Sequence, residues 1–220
     1  MNRLRGQGIS LAPLAVLRCC VCASSLCLAG DRRFGVSYVA PADEQEAEHE
    51  PHPGDIGCVA VIRSAHELPD GRSNILTEGE RRFVLRGWCA SDRLYQRARV
   101  EEFDDDPVDP VEAGGLAAAV RADFERLTAA LNTLTSRDFE EPAALPTDPT
   151  ALSFRVAGAL ELEPAAKQAL QAGRSTTARL RQLAALLRPL AEDATRRAVV
   201  RERAKRNGRG GAHAEIERAP

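Results

Sequence analysis

IGCVAVIRSAHELPDGRSNILTEGERRFVLRGW, residues 56–88, holds three apolar segments: 56–68, 73–77 and 82–88. The first two flank Pro69-Asp70-Gly71-Arg72, and Glu78-Gly79-Glu80 precedes the third. Proline presets φ for a turn, and glycine supplies a positive φ without steric cost. Val59, Val61, Ile62, Ile75 and Thr77 are β-branched, which suits pleated, half-buried strands. The stretch therefore reads as a hairpin followed by a third antiparallel strand. A meander of this kind implies no chemistry by itself.

Outward from it, residues 33–40 alternate Phe34, Val36 and Tyr38 and read as a strand. Residues 41–55 are a polar loop in which His49 and His52 stand beside Glu48 and Glu50. A solvated loop is the simpler reading of that group than a metal site. Residues 94–103 read as a further strand, with Leu94, Gln96, Ala98 and Val100 on one face. The acidic run 101–109, broken by Pro107, ends it.

The period then changes from two to about 3.6. Leu116, Val120, Phe124, Leu127, Leu131 and Leu134 make the apolar face of one helix. A second helix is capped by Thr147 or Asp148, with Pro149 in its first turn and Leu152, Val156 and Leu160 inward. Pro164 opens a third, which holds Leu170 and stops at Gly173. Ser175 or Thr176 caps a fourth with Leu180, Leu183, Leu187 and Leu190, interrupted by Pro189. Strands followed by helices predict an α+β fold. The expected domains are an atypical Cys-rich segment 1–29, a β-rich part 30–110, a helical part 111–195 and a basic tail 196–220, disordered or a fraying helix.

Composition narrows the function. The chain has 220 residues, 44% hydrophobic and only 4% aromatic, so its core must be mostly Leu, Val and Ala. The net charge of -2 disfavours a nucleic-acid or membrane-surface protein. Lys167 and Lys205 are the only lysines, and each follows an alanine. No Gly-Lys-Ser/Thr phosphate loop exists, and little room is left for a Ser-Lys dyad. No catalytic, cofactor-binding or metal-binding residue is expected. Cys19, Cys20, Cys22 and Cys27 lack paired C-x-x-C spacing, and Cys58 and Cys89 read as core residues. Arg3 and Arg5 precede an apolar run, 9–17, so a basic start, an apolar centre and small residues loosely match a signal peptide, but Arg18 damages the centre and no run reaches a membrane-spanning length.

Several separated motifs occur together. They are Ile56-Gly57 through Ile62, Leu68 through Leu76, and Gly79 through Phe83. To these add CLAGDRRFGV at 27–36, Leu152-Ser153-Phe154, and LEPAAKQALQAGRSTTARLRQL at 162–183, with Lys167-Gln168 and Arg174-Ser175 within it. In this order they resemble the N-terminal, substrate-binding domain family of ATP-dependent Lon proteases over about residues 27–190. The resemblance implies a PUA-like antiparallel β-barrel followed by a C-terminal α-helical bundle. The family's opening strands are not recognisable before Cys27, so the barrel is expected to be incomplete at its N-terminus, with unpaired edges. The ATPase and protease parts of the family's full-length members have no counterpart here.

The implied function is non-catalytic recognition of exposed hydrophobic or unfolded polypeptide, in the cytoplasm. Expected partners are unfolded or tagged polypeptides and a protease or chaperone, with homo-oligomerisation open and no cofactor. Candidate peptide contacts are Phe34, Tyr38, Phe83, Trp88 and Tyr95, against the plainer reading that they are core. The alternatives are an RNA-binding PUA-like module using Arg81, Arg82 and the basic tail, or a truncated chain without independent function.

Overall fold

The computed structural model of the protein describes residues 13–16, 30–39, 50–69, 73–90, 92, 95–135 and 144–209. Five strands are assigned: β1 (Pro13–Val16), β2 (Arg33–Ser37), β3 (Ile56–Glu67), β4 (Ser73–Cys89) and β5 (Gln96–Glu102). Among the described residues four helices follow: α1 (Pro110–Thr135), α2 (Pro149–Ala159), α3 (Pro164–Ala172) and α4 (Thr176–Arg209). The chain divides into two units. One runs to Asp105 and takes in Glu163–Arg174, so α3 belongs with the strands; the other is Asp106–Leu162 with Ser175 onward. The architecture is α+β, as expected.

In the strand unit, β2, β3, β4 and β5 form a four-stranded antiparallel sheet in chain order. β1 pairs in parallel with β2 at Val16–Gly35 and antiparallel with β5 from Pro13–Arg99 to Val16–Gln96. Both outer strands of the sheet therefore have a neighbour, where the sequence reading left unpaired edges. Proline is tolerated as the first residue of a strand, where no ladder N–H is needed from it.

The expected meander is corrected at one point. Glu78-Gly79-Glu80 is not a connection between strands; it lies inside the continuous 17-residue β4. Glu78 faces Val61 and Gly79 faces Ala60, while Arg81 faces Val59, so Glu80 is the extra residue of a bulge. Gly79 serves close approach rather than a turn: a Cβ there would stand 3.0 Å from Cys58 Sγ. Glu80 instead reaches across to Arg33, whose Nε donates to it at 2.8 Å. The proposed turn at 69–72 falls mostly outside the described residues.

The interior of this unit forms two clusters. Val59, Phe83, Leu85 and Ala98 make one, with Trp88 and Val100 against it; Phe34, Ala60 and Ile62 make the other, with Ile75 against it. Gly57 is needed for closeness: a Cβ there would stand 2.3 Å from the Phe83 ring and 2.7 Å from Val36 O.

In the helical unit the local signals are as read. The Ala151 N–H donates to the Asp148 carboxylate at 2.7 Å, with Pro149 in the first turn of α2. Ser175 Oγ accepts from the Ala178 N–H at 3.2 Å at the start of α4. The apolar faces are rotated from expectation. Alanines 113, 117 and 130 are buried on α1, whereas Leu131 is exposed. On α4, Leu180, Leu183 and Leu187 continue to Ala191, Ala194 and Ala198, and Leu190 is exposed. Counting leucines alone hid this, because alanine faces let helices approach closely. Glu112 pairs with Arg181, and Asp123 with Arg188 at 4.0 Å, so α1 and α4 run side by side in the same direction. α4 carries the basic stretch as helix to Arg209.

Candidate functional site

The five candidate aromatics separate by environment. Phe83 is only 1% exposed and Phe34 is equally sealed, in the other cluster. Trp88 packs half-buried against the Phe83 cluster. Tyr38 and Tyr95 are also half-buried. Tyr38 follows β2 and stands in sequence between the exposed Val36 and Val39. Phe34 and Val36 are two residues apart on β2 and so share a face of the strand, yet Phe34 is buried in its cluster while Val36, nearer the C-terminal end of β2, is exposed.

Arg81 and Arg82, the candidate phosphate contacts, are committed elsewhere. Arg81 Nη1 pairs with Glu102 at 2.6 Å. Arg82 is buried and forms an ion pair with Asp105. Its Nη1 donates to the carbonyls of Gln171 and Gly173, at 2.6 and 2.7 Å, at the C-terminal end of α3. Its guanidinium also lies 4.8 Å from the centre of the Phe103 ring, and that of Arg174 lies 5.2 Å from the same ring. A side chain so engaged fixes α3 to the sheet and is not presented to a polyanion, which corrects the RNA-contact expectation for Arg82. Gln168 adds a second tie, donating to Ile56 O at 2.8 Å.

A surface groove exists in the helical unit, and sequence reading did not foresee it. It occupies about 380 Å³ between α1 and α4, lined by Ala129, Ala130, Ala198 and Val199 with Thr133 and Thr195. Arg126 and Glu202 bring opposite charges to it. The alanines that bring the two helices together also leave this hollow.

The side-chain hydrogen bond between Arg33 and Glu80 holds the Glu80 carboxyl below its ordinary value and the Arg33 guanidinium above it. Burial pushes the Cys58 thiol up, which makes it a poor nucleophile. Among the described residues, no group of three or more His, Cys, Asp or Glu is placed to hold a metal ion. His52 is exposed, while His49, Glu48 and the four cysteines before residue 30 lie outside the described residues. Also among the described residues, no helix is long and apolar enough to cross a membrane.

A family model, the ATP-dependent protease La (LON) substrate-binding domain, matches residues 18–188. The chain belongs to this Lon substrate-binding domain family. It is 32% identical over 131 residues to a Lon protease of Roseiflexus castenholzii, covering 60% of this chain and 16% of that protein. It is 25% identical over 178 residues to Lon protease 2 of Herpetosiphon aurantiacus, covering 80% of this chain and 22% of that protein. The chain thus spans less than a quarter of the length of these curated relatives. The N-terminal domain of a Mycobacterium avium complex Lon protease has a similar fold, with a TM-score of 0.54 at 20% identity, covering 83% of this chain and 89% of that domain.

Proposed function

We propose that this Lon-type domain recognises protein substrates by holding exposed hydrophobic or unfolded polypeptide, without itself performing hydrolysis. The match to the substrate-binding domain over residues 18–188 carries the reading. The half-buried aromatics support it chemically. Tyr38, Trp88 and Tyr95 combine apolar area with a polar handle, which suits contact with a chain that brings both side chains and backbone. Phe34 and Phe83 are buried in the interior and would not touch a client directly. The sheet would close through β1 into a PUA-like barrel, for which the pairing of β1 with both β2 and β5 speaks. Clients would be unfolded or tagged polypeptides met in the cytoplasm, passed to a protease or chaperone.

The test is a fluorescence-anisotropy titration with labelled casein, a chain lacking stable structure. Saturable binding that a folded globular competitor does not reverse is expected. Absence of binding, or full displacement by the folded competitor, contradicts the reading.

A further inference from the structure

We infer that the α1–α4 groove is a docking site for an acidic polypeptide segment carrying small aliphatic side chains, an inference that rests on the substrate-recognition reading above. The groove is apolar at Ala129, Ala130, Ala198 and Val199, and its 380 Å³ lies at the small end of the range of about 300–1,000 Å³ typical of ligand clefts. It therefore takes one or two branched aliphatic side chains. Val199 is 45% exposed within it, and Val200 beside it is exposed too.

Charge selects the occupant. The α4 segment that borders the groove holds Arg196, Arg197, Arg201, Arg203 and Lys205 across residues 196–205. Asp193 pairs with Arg196 and Arg197, and Glu202 with Lys205, and over residues 192–205 five cations still outnumber the three carboxylates of Glu192, Asp193 and Glu202, so the segment is positive on balance. Such a field draws in an acidic partner and speeds its encounter. A second copy of this chain would bring the same positive helix end against its like, which opposes self-docking. A nucleic acid would find no base-stacking residue, because α4 contains no aromatic side chain. An acidic segment with Val, Ile or Leu satisfies both the hollow and the field.

The probe is a labelled synthetic peptide of alternating Glu and Asp bearing Val and Leu at helical i, i+4 spacing, titrated against the full chain. A matched peptide with Lys at every acidic position is the control. The acidic peptide is expected to bind, and the Lys peptide at least about tenfold more weakly, as like charges are set against each other. Val199→Glu blocks the hollow and should weaken the acidic peptide about tenfold, as expected for losing a central interface contact. Arg203→Glu changes an exposed side chain and should weaken it severalfold with a reduced salt dependence.

If casein binds but the acidic peptide does not, or if it binds Val199→Glu and Arg203→Glu like the parent chain, the groove assignment is overturned while substrate recognition stands. If neither binds, both are overturned. Displacement of the peptide by a single-stranded oligonucleotide at similar concentration would assign the basic helix to nucleic acid and overturn the groove as a peptide site.

Discussion

Arg82 and Asp105 form an ion pair shut away from solvent, their side chains 8% and 10% exposed. The remaining Arg82 hydrogen bonds close the carbonyl end of α3, so one side chain ties strand β4, the acidic segment after β5 and a helix. Arg82→Leu removes the ion-pairing guanidinium from the buried Asp105 carboxylate and the donor to the Gln171 and Gly173 carbonyls. The expected cost is about 3–5 kcal/mol, read as a lower urea midpoint. Arg82→Leu combined with Asp105→Leu should recover part of that loss. Equal loss in the single and double variants would show that the pair does not hold the unit.

Gly57 and Phe83 are packed without space for a methyl group. Gly57→Ala must move an aromatic ring that is 1% exposed, or the Val36 carbonyl. It should destabilise the chain by about 1–3 kcal/mol, the usual cost of overpacking. Gly79→Ala meets the movable end of Cys58 at 3.0 Å and should cost less. Thermal melts of the two variants compare them directly, and the reverse order would contradict this packing.

Much of the helical unit was readable because its signals are local. Asp148-Pro149 marks a helix start through a cap and a ring, and both need only neighbours in sequence. The errors came from tertiary effects. Arg82 looked like a surface base because arginine is rarely buried, yet Arg82, Phe83, Val84 and Leu85 form a continuous buried run. That run breaks the strand alternation because α3 covers the sheet at Arg82, a contact between residues distant in sequence. Arg179 was overlooked in the same way: it is 2% exposed, donates to Ser153 Oγ at 2.8 Å and stacks 3.9 Å from the Phe154 ring centre. The groove was invisible because alanine gives no amphipathic signal comparable to leucine.

Pro189 sits within α4 on its exposed side. It lacks the backbone N–H of a helical residue, and its ring crowds the carbonyl four residues before it. Pro189→Ala should therefore stabilise the chain, by up to about 3 kcal/mol. A higher melting temperature is expected. A lower one would mean that the proline shapes α4 in a way its neighbours depend on.

Glu80 and Arg33 give a pH signature. The Arg33 hydrogen bond holds the Glu80 carboxyl below its ordinary value. Its contribution to stability is therefore present above the unfolded value of about 4.3 and is lost as pH falls through the depressed folded value. The urea midpoints of the parent chain and Glu80→Gln should differ at neutral pH and converge in the acid range below the ordinary glutamate value. The difference will be small, because the pair is at the surface. A difference that persists unchanged in strong acid would place its origin elsewhere.

The most direct test of substrate recognition uses one client protein in two states. A small disulfide-bonded protein is prepared native and, separately, reduced and carboxymethylated so that it stays unfolded. Each is titrated into the chain by calorimetry. Recognition of unfolded polypeptide predicts saturable heat with the unfolded form and none with the native form. Equal heats from both forms, or none from either, would contradict it.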